Sequence, residues 1–404
     1  MKVLVVGAGA REHALADALG RTADEVVVTP GNPGIPGSTG AADPVEIEAD
    51  LVVVGPEEPL VDGLADRLRA RGRLVLGPGA DGARLEGSKA WMKEVLAETG
   101  VPTASSRAFA EVDAALAHLG TLGPPFVVKT DGLAAGKGVL VTQDRAEAQA
   151  DLRAKLAGTS FGPAGRTVVI EEGLVGPELS VLALCDGARA VPLAPARDHK
   201  RIGEAETGAN TGGMGAFSPV LDLPAGTVDR VMDEAVLPTL HALRRRGIDY
   251  RGVLYAGLML TADGVKVIEF NVRFADPETQ AVLARLDADL VALCAEAANG
   301  RLRTEPTFVD DAAVTVVVAA EGYPAAPRSC YPIDWVAEVD ALDGVRVHCY
   351  GARTGDDGGL VTASGRVLDV TALAPTVAEA RDRAYDGVGR IRFRGKYARR
   401  DIAA

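Results

Sequence analysis

The sequence contains few cysteines and few aromatic residues, and it has no long apolar run. Its 404 residues include four cysteines, none in a CxxC pair, and five histidines without the spacing of metal ligands. These absences argue against a disulfide-stabilised scaffold and against a zinc site. No apolar run approaches the roughly 20 residues that a membrane-spanning helix needs, so no membrane partner is expected.

Positive charge is also scarce. The chain has 43 Lys and Arg residues against 56 Asp and Glu residues, a formal net charge of -13. An acidic protein is repelled by a phosphate backbone, so nucleic acid is not an expected partner. The densest basic cluster, at 244–246, is predicted to end a helix, where cations suit the dipole. With no evident interface helix, we expect a cytoplasmic monomer whose cysteines are reduced and buried.

Apolar residues make up 47% of the chain, which is ordinary for a globular protein of about two to four domains. In residues 1–102, apolar runs at 3–6, 26–29, 51–54 and 74–76 are each followed by a turn rich in Gly or Pro. This alternation predicts a parallel α/β domain. Pro102 marks its end.

Residues 103–308 mix strands and helices without this alternation and predict an α+β domain, with a flap-bearing part at about 122–190. Runs at 252–260 and 265–270 flank Asp263-Gly264 and predict a hairpin. An apolar-striped helix is predicted over 281–299. Residues 309–404 predict a third, smaller α+β domain, with strands at 313–320, 345–350 and 366–371 and a helix at 377–391.

The most informative segment is 266–278. Glu269 and Asn271 lie two residues apart on a predicted strand, so their side chains project to the same side. One carboxylate and one amide oxygen suit a hard divalent cation such as Mg²⁺. Arg273 continues the row with a planar fork for an oxyanion, and Asp276 and Glu278 follow in the exit turn. The pattern predicts a phosphoryl-transfer site, with a solvated edge strand as the alternative.

A glycine-rich turn follows the first predicted strand. Gly7, Gly9 and Arg11 open a helix, as in a dinucleotide site, but Glu12 stands where the third glycine of that fingerprint belongs. No acid ends the second strand to hold a ribose. NAD binding is therefore disfavoured, and the turn is predicted to hold a single phosphate group at the helix N-terminus.

A second glycine-rich loop, at 132–138, joins two predicted strands. Its spacing is not that of a P-loop, because Asp131 stands in place of the first glycine and Gly138 in place of the Ser or Thr that binds Mg²⁺. A glycine-rich hairpin that carries Lys137 suits a flap closing over phosphates. Lys129, on the entering strand, is a second candidate phosphate contact. The alternative is an ordinary surface turn.

Polar segments follow along the chain. A predicted strand runs into Glu171 and Glu172, where the linker backbone could contact an adenine edge and Glu178 could accept ribose hydroxyls. Two further stretches, at 198–201 and 210–215, are polar or glycine-rich and have no evident core role. Loops of that kind are more often functional than structural.

In order along the chain, these segments resemble the phosphoribosylamine–glycine ligase (glycinamide ribonucleotide synthetase) family of the ATP-grasp superfamily. The strings that carry the resemblance are GAGAREHA, VVVGPEEPLV, LEGSKAWMK, KTDGLAAGKGV, VIEEGLVGPELS, RDHKRIGEAETGANTGGMGAFSP and VIEFNVRFADPETQ. They cover nearly the whole chain. The resemblance implies an N-terminal α/β domain, a two-lobed ATP-grasp unit and a small C-terminal domain.

The resemblance also implies a reaction. In that family the glycine carboxylate is activated by ATP as an acyl phosphate, which the amine of 5-phosphoribosylamine attacks. ATP is a co-substrate, and Mg²⁺ or Mn²⁺ is the expected cofactor. No side-chain nucleophile is needed, and a closed flap would protect the acyl phosphate from water.

The roles implied by the resemblance fall into four groups. ATP would be held by Lys89, Lys129, Gly136, Lys137, Gly138, Glu171, Glu172, Leu174 and Glu178. The metal would be held by Glu269 and Asn271. The substrates would contact Gly9, Arg11, Glu57, Asp198, Lys200, Asn210, Gly213 and Arg273. Catalysis would depend on Lys137, Arg273 and Asp276, and either Asp198 or Asp276 could hold the glycine ammonium.

The chain departs from the family pattern at 31–50, where there is too little room for the usual crossover helix. A truncated second βαβ unit is therefore expected. Three rival functions remain: another ATP-grasp carboxylate–amine ligase, an NAD-linked oxidoreductase, and a catalytically inactive nucleotide-binding module.

Overall fold

The first sheet is parallel, as the buried apolar runs predict. A computed structural model describes residues 1–134, 138–160 and 166–404. The sheet has the strand order β2-β1-β3-β4. Its strands β1 and β3 are buried along almost their whole length, which is typical of a parallel sheet covered on both faces. The elements are β1 (Lys2–Gly7), β2 (Glu25–Pro30), β3 (Leu51–Val54), β4 (Leu74–Leu76), α1 (Ala10–Leu19), α2 (Glu57–Val61), α3 (Leu64–Ala70) and α4 (Ala80–Gly87).

The connection from β2 to β3 contains no helix, which confirms the expected truncation. Residues 31–40 turn back instead, and Ser38 pairs with Val28 of β2 in a parallel bridge. Val45 is buried in the same apolar cluster as Leu4 and Val52. The short connection therefore covers the edge strand and part of the sheet face.

Helix α5 (Lys89–Thr99) leads to an antiparallel sheet of order β5-β8-β6-β7. The sheet is covered by two helices and has a small apolar core of its own. Its elements are β5 (Ser106–Phe109), β6 (Phe126–Thr130), β7 (Val139–Thr142), β8 (Val168–Glu171), α6 (Val112–Gly120) and α7 (Arg145–Leu156). The predicted flap joins β6 to β7.

The larger half of the central region is a second antiparallel sheet, of order β10-β9-β15-β16. The hairpin predicted around Asp263-Gly264 is confirmed by the pairing of β15 with β16. The elements are β9 (Glu178–Asp186), β10 (Ala190–Pro192), β15 (Arg251–Thr261), β16 (Gly264–Asn271), α8 (Thr227–Val231), α9 (Leu237–Arg245), α10 (Glu278–Arg285) and α11 (Leu290–Ala298). The predicted helix end at the basic cluster is confirmed by α9.

The third sheet, of order β11-β14-β17-β21-β18, joins the C-terminal region to the central one. Its first two strands come from the polar and glycine-rich segments near residues 198 and 215. Its strands are β11 (Arg197–Asp198), β14 (Gly215–Ser218), β17 (Ala312–Ala319), β18 (Val345–Cys349) and β21 (Arg366–Ala374), covered by α13 (Val377–Arg390) and α12 (Val336–Asp340). Two small hairpins are β12 (Arg201–Gly203) with β13 (Thr207–Asn210), and β19 (Ala352–Thr354) with β20 (Leu360–Thr362). The boundaries at residues 102 and 308 stay predictions.

Two expectations were wrong. The single helix over 281–299 is two helices, because Leu286 adopts an extended backbone and Asp289 caps α11 by accepting a hydrogen bond from the Ala292 amide at 3.1 Å. Of the cysteines, three are buried but Cys330 is exposed, and all four are free. Among the described residues, no helix has the length and apolar character to cross a membrane.

Candidate active site

A cavity of about 550 Å³ lies between the flap-bearing sheet and the central sheet. One part of its wall is apolar and is formed by Val127, Val139, Val141, Leu174, Met259 and Ile268. The rest is strongly charged. Twelve residues predicted from the sequence line this one cavity: Lys129, Glu171, Glu172, Leu174, Glu178, Asp198, Lys200, Asn210, Glu269, Asn271, Arg273 and Asp276. Such a wall offers apolar contacts to an aromatic ring and charged contacts to phosphates.

The predicted ligand row lies at the end of β16. Glu269 and Asn271 both line the cavity, opposite Gly257 and Tyr255 of β15. Burial raises the pKa of Glu269, but Lys200, Lys129 and other nearby cations more than offset this effect and lower the pKa below its ordinary value. Glu269 is therefore an ionised carboxylate that lies close to several cations.

Glu86, which the sequence reasoning missed, fixes the end of this strand. Its carboxylate accepts hydrogen bonds from the Val272 amide at 2.9 Å, from Arg273 Nη2 at 2.9 Å, and from the Asn271 amide nitrogen at 3.0 Å in the orientation that satisfies that amide. Three consecutive residues thus share one acceptor. The Asn271 amide oxygen is then the group available to a cation.

Arg273 is paired twice. Besides Glu86, its Nε donates to Glu57 Oε2 at 3.3 Å. Burial disfavours the charged guanidinium, but Glu86 and Glu57 more than compensate and raise the pKa of Arg273. Burial also raises the pKa of Glu86 to about 7, although Arg273 opposes this shift. The predicted oxyanion fork therefore lies beside two carboxylates.

Lys129 has a partner, as expected for a buried strand lysine. It is 2% exposed, and its Nζ lies 3.0 Å from Glu171 Oε2 and donates to the Ile268 carbonyl at 3.0 Å. Lys93 Nζ lies 3.2 Å from the other Glu171 oxygen. Burial lowers the pKa of Lys93 to about 8, against the opposing effect of Glu171. Lys93 lies one helical turn after Lys89 in α5, and this spacing is the signal that could have identified it.

A second charged group comes from the segment at 198–201. Lys200 Nζ lies 2.5 Å from Glu178 Oε2 and 3.9 Å from Asp198 Oδ2. The Asp198 side chain is 5% exposed, and its Oδ1 has no hydrogen-bond partner within the described residues. Burial raises the pKa of Asp198 well above its ordinary value, although Lys200 opposes this. A buried carboxylate oxygen without a donor is an open position for a cationic ligand.

Three further predicted residues line a smaller cavity of about 110 Å³ that shares Glu269 and Asn271 with the large one. These are Glu57, Lys89 and Gly138. Lys89 Nζ donates to the Gly132 carbonyl at 3.3 Å, and the Ala90 amide donates to Asp131 Oδ1 at 2.7 Å. The start of α5 thus anchors the start of the flap. Gly136 and Lys137 lie outside the described residues.

The N-terminal glycine turn is not an open phosphate cradle. The Glu12 carboxylate occupies it, accepting from the Gly9 amide at 2.7 Å and from Arg11 Nε at 2.6 Å. Arg11 also donates to the Phe274 carbonyl at 3.2 Å, next to the ligand row. Neither Gly9 nor Arg11 is among the residues that line the two cavities. Their predicted contacts with substrate stay predictions.

The glycine-rich segment at 210–215 supports the cavity. Asn210 lines it, and its Nδ2 lies 3.5 Å from the Val139 carbonyl of β7. Gly213 has a φ of +102°, and a Cβ there would lie 2.3 Å from Pro277 Cδ. Glycine is therefore required at 213 both for its backbone conformation and for the close contact with the turn after β16. Gly213 positions this segment without lining the cavity.

Asp276 lines the cavity, but both of its oxygens are bonded. Arg366 Nη2 donates to Oδ2 at 2.9 Å, and the Tyr350 hydroxyl donates to Oδ1 at 2.5 Å. Both donors belong to the C-terminal region, 90 and 74 residues further along the chain, and the sequence reasoning did not find them. No local pattern links residues so far apart.

The donor set fits a hard divalent cation. Glu269 supplies an ionised carboxylate and Asn271 an amide oxygen. Within the described residues there is no cluster of three or more His, Cys, Asp or Glu side chains that could hold a metal by itself. Two oxygen ligands that leave the remaining positions to water and phosphate are typical of Mg²⁺ sites.

Comparison with known proteins gives concordant results. Three family models match the chain: the N domain of phosphoribosylglycinamide synthetase at 1–86, its ATP-grasp (A) domain at 87–279 and its C domain at 313–404. A phosphoribosylamine–glycine ligase from Streptomyces coelicolor is 48% identical over 424 residues, covering 100% of this chain and 99% of that protein.

Solved structures agree. The crystal structure of phosphoribosylamine–glycine ligase from Thermotoga maritima has a TM-score of 0.88 at 33% identity and covers 100% of both chains. A biotin carboxylase domain from Hydrogenobacter thermophilus, solved with MgADP, has a TM-score of 0.74 at 18% identity and covers 98% of this chain and 91% of that one. This second likeness concerns the fold alone. By sequence, domain order and structure, the chain belongs to the phosphoribosylglycinamide synthetase family, the ATP-grasp ligases of purine biosynthesis.

Proposed function

We propose that this chain joins glycine to 5-phosphoribosylamine, forming glycinamide ribonucleotide, ADP and phosphate. The observation that carries this proposal is the charged wall of one cavity, which Glu269, Asn271 and Arg273 share with Lys129 and Lys200. Moving a γ-phosphoryl group onto a carboxylate brings anions together, and this wall places several cations around their meeting point.

Two displacement steps account for the reaction. A glycine carboxylate oxygen attacks the γ-phosphorus of ATP, the bond to the bridging oxygen breaks, and ADP leaves. The phosphoribosylamine nitrogen then attacks the acyl carbon of glycyl phosphate, phosphate leaves, and the nitrogen loses a proton. Neither step requires a side-chain nucleophile, so the protein contributes by orienting the reactants and by offsetting charge.

The adenine is assigned to the apolar end of the cavity, beside the linker after β8. The phosphates extend toward β6 and the flap, where the loop excludes water from glycyl phosphate. The residues proposed to hold ATP are Lys89, Lys129, Gly136, Lys137, Gly138, Glu171, Glu172, Leu174 and Glu178. Lys137 and Arg273 are assigned to the transferred phosphoryl group.

Glu269 and Asn271 are assigned to Mg²⁺ or Mn²⁺. Such an ion, when bound with ATP, offsets phosphate charge and helps to orient the triphosphate. Lys129 and Arg273 offset further charge on the same anions.

Glycine is assigned to Asp198. Its Oδ1 has no donor among the described residues, whereas both oxygens of Asp276 are bonded by Arg366 and Tyr350. An ammonium ion would supply the missing donor and favour the ionised carboxylate. The residues proposed to contact the substrates are Gly9, Arg11, Glu57, Asp198, Lys200, Asn210, Gly213 and Arg273.

We also propose a cytoplasmic monomer. The buried, unpaired thiols of Cys185, Cys294 and Cys349 fit a reducing compartment.

The direct test is ADP release from MgATP in the presence of freshly generated phosphoribosylamine, with glycine, alanine or no amino acid. Strict dependence on both glycine and the amine is expected. ADP release with another acid would favour a different ATP-grasp carboxylate–amine ligase. An absence of ADP under every condition would contradict the proposed activity.

A further inference from the structure

Several residues of the C-terminal region contact the cavity wall, and one of these contacts is an ion pair with the turn after β16. Asp276, in the turn after β16, lines the cavity with a side chain that is 15% exposed. Its Oδ2 accepts from Arg366 Nη2 at 2.9 Å, and its Oδ1 accepts from the Tyr350 hydroxyl at 2.5 Å and from Gln280 Nε2 at 3.2 Å. Three donors therefore hold the Asp276 carboxylate in place.

Arg366 is itself held rigidly. Its Nη1 donates to the Gly212 carbonyl and to the Tyr350 hydroxyl, and its guanidinium carbon lies 4.2 Å from the centre of the Tyr350 ring. Arg366 and Tyr350 do not line the cavity themselves, whereas Gly212 and Asp276 do. One guanidinium therefore joins two separate wall segments from behind.

The support continues behind this pair. Gln280 Nε2 also donates to Asp369 Oδ2 at 3.1 Å, and Asp369 Oδ1 lies 2.9 Å from His348 Nδ1. Asp369 is fully buried in β21, the strand that begins with Arg366. Arg366 thus binds the turn after β16 directly, and Asp369 of the same strand binds it through Gln280 of α10.

Charge gives the pair a function beyond anchoring. The proposed reaction brings the glycine carboxylate and the ATP phosphates into this cavity, so an unpaired carboxylate in its wall would repel both. Arg366 offsets that charge, and its planar guanidinium fixes the direction of the hydrogen bond to Asp276. Removing Arg366 alone would leave Asp276 as a partly buried, uncompensated anion.

We propose that Arg366, with Tyr350, is a positioning residue that neutralises Asp276 and fixes the cavity wall, so that the C-terminal domain completes the active site. This inference rests on the proposed function, because it concerns the binding of glycine and phosphate in that cavity. It predicts that charge balance between residues 276 and 366 matters more than either residue alone.

The test is steady-state kinetics on Arg366→Gln, on Tyr350→Phe and on the double variant Asp276→Asn/Arg366→Gln. Arg390→Gln is the matched control, because it makes the same change in an exposed ion pair of the same domain. We expect Arg366→Gln to raise the glycine KM at least tenfold and Tyr350→Phe to raise it about threefold. The double variant should recover most of the loss, because it leaves no unpaired charge, and the control should behave as wild type.

Several results would overturn the inference. A glycine KM for Arg366→Gln within twofold of wild type would do so. A double variant no better than Arg366→Gln would also do so, because it carries no unpaired carboxylate and charge would then not explain the loss. If Arg366→Gln fails to fold, Tyr350→Phe with an unchanged KM would contradict the inference. A wild-type enzyme without glycine-dependent ADP release would instead contradict the proposed function.

Discussion

Replacement of Asp198 by asparagine tests the glycine site most directly. The change keeps the shape of the side chain and removes its charge. In the structure Asp198 Oδ1 has no partner among the described residues, and Lys200 lies 3.9 Å from Oδ2 while it pairs closely with Glu178 at 2.5 Å. The substitution would therefore break no strong contact within the protein, and any loss of glycine binding would come from the lost contact with the substrate.

The magnitude follows from the type of contact. A hydrogen bond between charged groups contributes about 1.5–3 kcal/mol, which corresponds to roughly 10- to 150-fold in affinity. We therefore expect the glycine KM of Asp198→Asn to rise by about 30-fold, near the middle of that range. The ATP KM should change little, because Asp198 is not assigned to the nucleotide.

The asparagine substitution should weaken glycine binding without lowering the stability of the folded protein. Because burial raises the pKa of Asp198 in the folded state, the folded protein binds this proton more tightly than the unfolded chain does. The carboxylate therefore costs stability increasingly as the pH rises through the range between its unfolded and folded pKa values. At pH 8 the asparagine variant, which lacks that cost, should melt at the same temperature as wild type or higher.

The assay is glycine-dependent ADP release, with melting temperature measured on the same samples. Asp263→Asn, the same change in an exposed hairpin turn, is the control. An Asp198→Asn enzyme with a glycine KM within twofold of wild type would refute the assignment of the ammonium. A large loss of both activity and melting temperature would show that Asp198 is structural.

Three further predictions follow from individual contacts. Glu269→Ala should lower turnover by at least about 100-fold with little change in melting temperature, as the loss of a metal ligand implies, and a near-normal rate would contradict that role. Asn32→Ala should destabilise the protein by about 2 kcal/mol in thermal melting, because its side chain donates to the Ala8 carbonyl at 2.8 Å and accepts from the Gly34 amide at 2.8 Å. Burial, with the nearby His348 charge, lowers the pKa of His13 from 6.5 to about 3. As the pH falls below 6.5, the unfolded chain binds this proton before the folded protein does, so the free energy of unfolding should fall, by about 2 kcal/mol at pH 5. His13→Gln should show a smaller fall.

The sequence predicted the features that depend on local pattern. The parallel strands, the β15–β16 hairpin and the row at Glu269, Asn271 and Arg273 all follow from side-chain alternation and turn residues within a few positions. The break between α10 and α11 was missed although its signal is local, because the apolar stripe continues through residue 286 and outweighed the capping residue Asp289.

What the sequence could not predict is the choice of partner between distant segments. The sequence assigns Glu171 to the nucleotide, but only the fold shows that Lys93 and Lys129 also flank its carboxylate. Asp276 and Arg366 are 90 residues apart, and no periodicity relates a turn in one domain to a strand in another. Pairings of this kind are fixed by packing of whole domains, so they become visible only in three dimensions.

These pairings bear on how the cavity can bind its substrates. Lys129 is paired with Glu171, Lys200 with Glu178, and Arg273 with two glutamates. Each of these three cations thus already has a carboxylate partner within the protein. Each of these side chains would have to contact a phosphate while it remains paired with its carboxylate. This sharing weakens its contact with the phosphate.

A divalent cation bound with the nucleotide would offset more of the negative charge of the triphosphate. Glu269 and Asn271 form the part of the wall suited to receive it, since Glu269 is ionised and the Asn271 amide oxygen is oriented by Glu86. The same argument distinguishes the two aspartates. Asp276 already has its own cation in Arg366, whereas Asp198 Oδ1 lacks a donor within the described residues, and we propose that the substrate ammonium provides it.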